Sequence, residues 1–346
     1  MLEESIDESI DESIDESIDE SIDESIDESI DESISESCVD IFPGSRLISQ
    51  IGNSPVIRLR ISSFDIYGKC EYLNPGGSIK DRAAKYLIEQ AEKSGLLKPG
   101  GVIIEGSSGN QGIALAMIGS IKGYKVIITV PYRTSKIKVN ILKAYGAEVK
   151  VCDEEGERGY VAVARNLANS IPNSYMPDQY YNKLNTEAHY YSTGPDIWQQ
   201  TKGKVTHVVI AMGTCGTISG VSKFLKQKNS DIQIWGVDAK TSARSLFELK
   251  QKNNINIQPY QVEGIGVDVL DGLYSPELID EISTYSDDEI FAMTKKVAKT
   301  HGLLIGFSSA AVLKMIEDRV NCFKKGDCVI AILADSGRSY LDKIEF

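Results

Sequence analysis

Short apolar runs alternate with amphipathic stretches through most of this chain. Val102-Ile103-Ile104, Val126 to Val130, Ala147 to Val151, Val205 to Met212, Ile232 to Val237 and Cys328 to Leu333 read as buried strands. Between them, Ala83, Ala84, Leu87, Ile88 and Ala91 recur at helical spacing, and Ile113 to Ile121, Lys136–Ala144, Val221 to Leu225 and Ala310 to Ile316 read as helices. Near the start of the body, Leu47 to Leu59 reads as a short helix, a Gly-Asn-Ser-Pro turn and a strand. This alternation predicts an α/β fold of two doubly wound domains, each a parallel-type sheet covered on both faces. Ligands in such folds bind at the carboxyl ends of the strands.

The first 40 residues break the pattern. A Ser-Ile-Asp-Glu repeat runs from Ser5 to Glu32, and an isoleucine every fourth residue spirals around a helix instead of forming one face. Like charges four residues apart also repel. A disordered acidic tail over 1–40 is expected, with no part in the chemistry. It also accounts for the net charge of −13: residues 1–37 hold 17 acids and no bases, leaving 33 acids against 37 Lys and Arg, or +4, in the remainder. The body carries no basic face for nucleic acid. No stretch is long and apolar enough for a membrane span, and the N-terminus lacks a cationic, apolar leader pattern. Six scattered cysteines and three histidines give no metal-ligand spacing, and the thiols suggest a reducing cytoplasm.

Three turns carry candidate chemistry. In Asn74-Pro75-Gly76-Gly77-Ser78-Ile79-Lys80-Asp81-Arg82, Ser78 reads as an N-cap with Asp81 in the capping-box position. Lys80 then lies in the first helical turn, where the helix dipole disfavours a cation and a neutral amine can attack an aldehyde. Gly213-Thr214-Cys215-Gly216-Thr217, between a strand and a helix, suits a phosphate, and it lacks the Lys-Ser/Thr ending of a nucleotide loop. Ser107-Ser108-Gly109-Asn110-Gln111 offers hydroxyls, an amide and backbone N–H groups to a carboxylate. A phosphate loop, a carboxylate loop and a reactive lysine together fit pyridoxal phosphate acting on an amino acid.

From about Leu47 to Ile344 the chain resembles the cysteine synthase and cystathionine β-synthase family of fold-type II pyridoxal-phosphate enzymes, whose architecture is tryptophan synthase β-like. The nine residues around Lys80 are similar to that family's lysine signature. The resemblance implies that Lys80 carries the cofactor as a Schiff base and takes the α-proton of the substrate. By the same resemblance Asn110 bonds the ring hydroxyl, Gly213, Thr214, Cys215, Gly216 and Thr217 cradle the phosphate, and Ser308 faces the pyridine nitrogen. Ser107, Ser108, Gly109, Gln111, Gln179 and Gly264 would contact substrate, with Tyr180 gating it or bonding its hydroxyl. It further implies a larger cofactor-binding domain over 41–84 and 190–346, a smaller mobile domain over 85–189, and a homodimer. Haem and adenosylmethionine control are expected to be absent.

A serine opposite the ring nitrogen leaves that nitrogen unprotonated and the ring a weaker electron sink. Prompt loss of a group from Cβ is then favoured, and a nucleophile adds to the resulting aminoacrylate. Ile171-Pro172-Asn173-Ser174, Asp178-Gln179-Tyr180, Glu187-Ala188-His189-Tyr190, Glu263 to Asp268 and Asp335 to Tyr340 resemble cystathionine β-synthases, pointing to L-serine and L-homocysteine as substrates. Cysteine synthase, acting on O-acetyl-L-serine and sulfide, is the alternative. Further alternatives are a 2,3-diaminopropionate-precursor synthase, a serine/threonine dehydratase and an inactive binding homologue. Departures from the family pattern fall at Cys215, Val267, Ala310, Gly106-Ser107 and Gln111, and they bear on the second substrate.

Overall fold

The computed structural model describes residues 47–153, 159–248, 260–267 and 272–344. The acidic repeat, Cys38 and Asp268 lie outside the described residues. After a single 3-10 turn at Leu47–Gln50, the ten strands are β1 (Val56–Ile61), β2 (Phe64–Cys70), β3 (Val102–Gly106), β4 (Lys125–Pro131), β5 (Glu148–Cys152), β6 (Ser174–Tyr175), β7 (His207–Ala211), β8 (Gln233–Ala239), β9 (Glu281–Tyr285) and β10 (Val329–Leu333). The helices are α1 (Lys80–Lys93), α2 (Asn110–Lys122), α3 (Lys136–Ala144), α4 (Gly159–Ser170), α5 (Leu184–Tyr191), α6 (Thr193–Gln200), α7 (Gly216–Lys228), α8 (Ala243–Glu248), α9 (Asp287–His301) and α10 (Phe307–Asp318).

Two sheets form. One has the order β1-β2-β10-β7-β8-β9 and the other β5-β4-β3-β6. Every pairing is parallel except the β1–β2 hairpin. The alternation of side chains along a strand explains why the larger sheet is covered on both faces. Val209 with Val329, Ala331 and Leu333 packs into the core shared with Ile290 of α9 and the buried face of α10. Their neighbours Val208, Ile210, Ile330 and Ile332 point the other way, against Ile197 of α6 and Ile218, Val221 and Leu225 of α7. The helix α10 is apolar around most of its circumference because it runs through the interior.

The start of α1 differs from the expected cap. The helix begins at Lys80 with Ile79 in the cap position, so Ser78 and Asp81 do not form a capping box. Ser78 Oγ accepts the Lys80 N–H at 3.2 Å, and Asp81 turns back to accept the Gly76 N–H at 2.6 Å. The tertiary loop takes both side chains because it is pinned elsewhere. Ile79 N donates to the Ala334 carbonyl at 2.9 Å, beyond the end of β10, and Ser78 bridges to Asp335.

Candidate active site

The ends of the parallel strands deliver the three turns to one cleft. A cavity of about 430 Å³ is lined by Lys80, Ser107 to Gln111, Gln179, Tyr180, Gly213, Thr214 and the segment from Val262 to Val267, among others. A narrower slot of about 50 Å³ adjoins it, with apolar walls from Ile210, Ile332 and Ala334 and a polar rim of Asn110, Thr214, Thr217, Ser308 and Asp335. The residues given a catalytic, cofactor-binding or substrate-binding role from the sequence line one or other space except Gly216, the first residue of α7.

Lys80 reaches across from α1 to donate from Nζ to Thr214 Oγ1 at 3.4 Å. The turn it meets is held from behind. Arg244, buried and paired with Asp238 at 3.2 Å, binds the carbonyls of Met212 at 3.0 Å and Gly213 at 2.8 Å. A trans peptide sends its N–H opposite to its carbonyl, so the Gly213 and Thr214 N–H groups face away from Arg244. Cys215 caps α7 at φ +62, a left-handed conformation costing a non-glycine residue about 1 kcal/mol. That strain gives the physical reason why glycine suits the position.

Asn110 opens α2 and donates from Nδ2 to Asp335 Oδ2 at 2.6 Å, which leaves its Oδ1 as an acceptor. Tyr340 donates to the same Asp335 oxygen. Burial pushes the Asp335 carboxyl up, and the two hydrogen bonds oppose it. Ser107 Oγ accepts the Gly112 N–H at 3.1 Å and so caps the first turn of α2. The Gln111 amide, buried in the wall of the cavity, has no hydrogen-bond partner among the described residues. Gln179 follows Asp178, held at φ +49, and lies 5% exposed.

Sequence reasoning missed the charged rim. Glu263 lines the cavity and is gripped by Lys138 of α3 and, at 2.5 Å, by Lys343. Burial alone would raise its carboxyl, but the two ammonium groups hold it below the ordinary range. Tyr160 and Tyr260 also reach the cavity. The stretch around Glu263 stood out only as a motif, because its partners lie 125 and 80 residues away.

A lysine at a helix start, a small-residue turn and a serine-rimmed slot define a cofactor-dependent enzyme of the parallel α/β class. The chain belongs to the pyridoxal-phosphate-dependent enzyme family, whose model matches residues 47–335. It is 39% identical over 307 residues to the cystathionine β-synthase of Rattus norvegicus, covering 86% of this chain and 54% of that protein. It is 36% identical to the cysteine synthase of Staphylococcus aureus, covering 86% of this chain and 96% of the relative. Among solved structures it is similar to an O-acetylserine-dependent cystathionine β-synthase from Helicobacter pylori, with TM-score 0.79 and 34% identity over 88% of this chain and 99% of that one. The chain spans 54–62% of the length of the three cystathionine β-synthases from rat, yeast and Dictyostelium discoideum.

The residues present fit pyridoxal phosphate. A Cβ at Gly213 would stand 3.1 Å from the Gly264 carbonyl, and one at Gly264 would stand 3.4 Å from Ser308 Oγ. Side chains at either glycine would crowd the narrow slot, whose apolar walls and polar rim suit an aromatic ring with polar substituents. Among the described residues there is no metal-binding cluster and no helix long and apolar enough to cross a membrane.

Proposed function

We propose that the protein catalyses β-replacement on L-serine or an O-activated L-serine, with L-serine and L-homocysteine giving L-cystathionine as the first assignment. The observation that carries this reading is the pairing of Lys80 with a slot whose polar rim includes Ser308. The similarity to proteins named cystathionine β-synthase supports the choice of substrates. Pyridoxal phosphate supplies an electrophilic carbonyl for the substrate amine and a ring that withdraws electrons from Cα.

The chain's own groups do the rest. The amides of the 213–217 turn and the hydroxyls of Thr214 and Thr217 bind the phosphate. Asn110, aimed by Asp335, would hydrogen-bond the ring hydroxyl through its Oδ1. Ser308 meets the ring nitrogen as a neutral group. Ser107 to Gln111 and Gln179 orient the substrate carboxylate, which gives the Gln111 amide a partner. Lys80 takes the proton from Cα as a general base. Lys80 would then pass that proton to the serine oxygen as the Cβ–O bond breaks, and the oxygen would leave as water with Tyr180 beside it. Lys80, neutral again, would take the thiol proton as the homocysteine sulfur bonds to Cβ and deliver it to Cα. Residues 85–189 form the smaller part that closes over substrate, and the chain works as a homodimer.

Ser308→Ala should lower turnover about fivefold, the effect of one neutral hydrogen bond, with the cofactor still bound. Visible absorbance reports the cofactor and steady-state rates the loss; unchanged kinetics would remove Ser308 from the role. The substrate assignment is tested by supplying the purified holoprotein with L-serine or O-acetyl-L-serine, each with homocysteine or sulfide, and identifying products by mass. Cystathionine from serine, at a higher kcat/KM than any other pair, is expected. Cysteine from O-acetylserine and sulfide alone would move the assignment to cysteine synthase.

A further inference from the structure

Two glycines on α7 bring α5 unusually close. A Cβ at Gly216 would lie 2.3 Å from Asn185 Oδ1, and one at Gly220 would lie 2.3 Å from the Thr186 carbonyl and 2.8 Å from His189 Cβ. Asn185 and His189 stand one turn apart on α5 and share a face. Through the gaps left by the glycines they reach Thr214 and Thr217, the two hydroxyls of the turn at the head of α7. Asn185 Nδ2 donates to Thr214 Oγ1 at 3.1 Å and to the Gln179 carbonyl at 2.8 Å. His189, fully buried, has Nε2 at 3.2 Å from Thr217 Oγ1 and Nδ1 at 2.8 Å from Thr193 Oγ1.

The direction of these bonds matters for an anion. A phosphate only accepts, so a hydroxyl serves it only with a proton to spare. Thr214 Oγ1 accepts the Asn185 N–H and keeps its own proton to donate. Thr217 can do the same only if His189 donates to it. A neutral imidazole carries one N–H, so Nδ1 must then accept from the Thr193 hydroxyl. The opposite tautomer would draw the Thr217 proton toward the ring and turn lone pairs toward the phosphate. Burial, with Lys80 and Arg82 adding to it, pulls the imidazole down to about 3, so the ring is neutral near pH 7. Glu71 opposes this shift weakly.

We propose that His189 is a positioning residue: as the Nε2–H tautomer it donates to Thr217 and aims the Thr217 hydroxyl proton at the cofactor phosphate. The competing possibility is a histidine that merely fills the space between α5, α6 and α7.

The test is the affinity of the apoprotein for pyridoxal phosphate, titrated by fluorescence, alongside the thermal stability of each apoprotein. His189→Leu should weaken binding about tenfold, the loss expected of one hydrogen bond to a charged group. His189→Gln, whose amide can place an N–H near the Nε2 position, should recover most of it. In a Thr217→Val background, His189→Leu should add almost nothing, because the bond it serves is already gone. Equal affinity of His189→Leu and the parent, or full additivity with Thr217→Val, would overturn the proposal. Nitrogen NMR of the parent holoprotein gives a check independent of variants: a proton on Nε2 supports it, and a proton on Nδ1 overturns it.

Discussion

Lys80→Ala is expected to cut β-replacement by roughly a thousandfold or more, since in the proposed mechanism Lys80 is both the covalent anchor and the base. The placement of Lys80 explains why no neighbour should substitute. Its helix starts where the loop is tied to the end of β10, and Nζ meets Thr214 in the 213–217 turn. A lysine one residue along would leave on another side of the helix, since successive residues turn by ~100°. Steady-state assays with each donor check the rate, and visible absorbance checks the cofactor. Turnover near the parent value would remove Lys80 from the mechanism.

The largest stability effect is expected from Arg82→Met. Arg82 donates to both oxygens of Glu71, at 2.8 and 2.9 Å, and to Asp196 at 2.7 Å. Glu71 is completely buried, and Ser54 at 2.6 Å and Asn74 at 2.7 Å complete its shell. Lys69, also fully buried, lies 3.8 Å from it. Removing one partner from such a pair strands a buried charge, at a cost of about 3–5 kcal/mol. Urea unfolding should show that loss; a change below about 1 kcal/mol would contradict it.

The same cluster predicts acid sensitivity. Burial raises the Glu71 carboxyl, but Arg82, Lys69 and Ser54 outweigh it and carry it down to about 2. A folded value below the unfolded one means the contribution is complete above the ordinary glutamate range and lost as pH falls through about 2. Urea midpoints measured across acid pH should fall over this window in the parent. They should fall less in Glu71→Gln, which starts less stable.

Strands with unbroken apolar runs were legible in the sequence because burial on both faces leaves no other pattern. The Lys136–Ala144 helix matches its sequence range, and β4, β7, β8 and β10 lie within a residue or two of theirs. The strand β9, Glu-Ile-Ser-Thr-Tyr, is half-buried at the sheet edge and carries no such run. The helix α9 had a signature that went unread: Ser286 and Glu289 form a full capping box. At α1 the reverse happened, and a box suggested by Ser78 and Asp81 yielded to contacts made by the folded loop.

The candidate site was legible wherever a turn concentrates its chemistry, as at Ser107 to Gln111 and Gly213 to Thr217. Its supporting groups were not, because they come from distant parts of the chain. Asp335 orients Asn110 across 225 residues, and Glu263 meets Lys138 across 125. His189 lay inside a recognised stretch, yet only the fold brings it to Thr217.

Borohydride reduction of the holoprotein, followed by peptide mapping, tests the central claim most directly. A pyridoxyl group on the peptide bearing Lys80, and on no other lysine, is the predicted result. Label on a different lysine, or none on a protein that holds the cofactor, would contradict it.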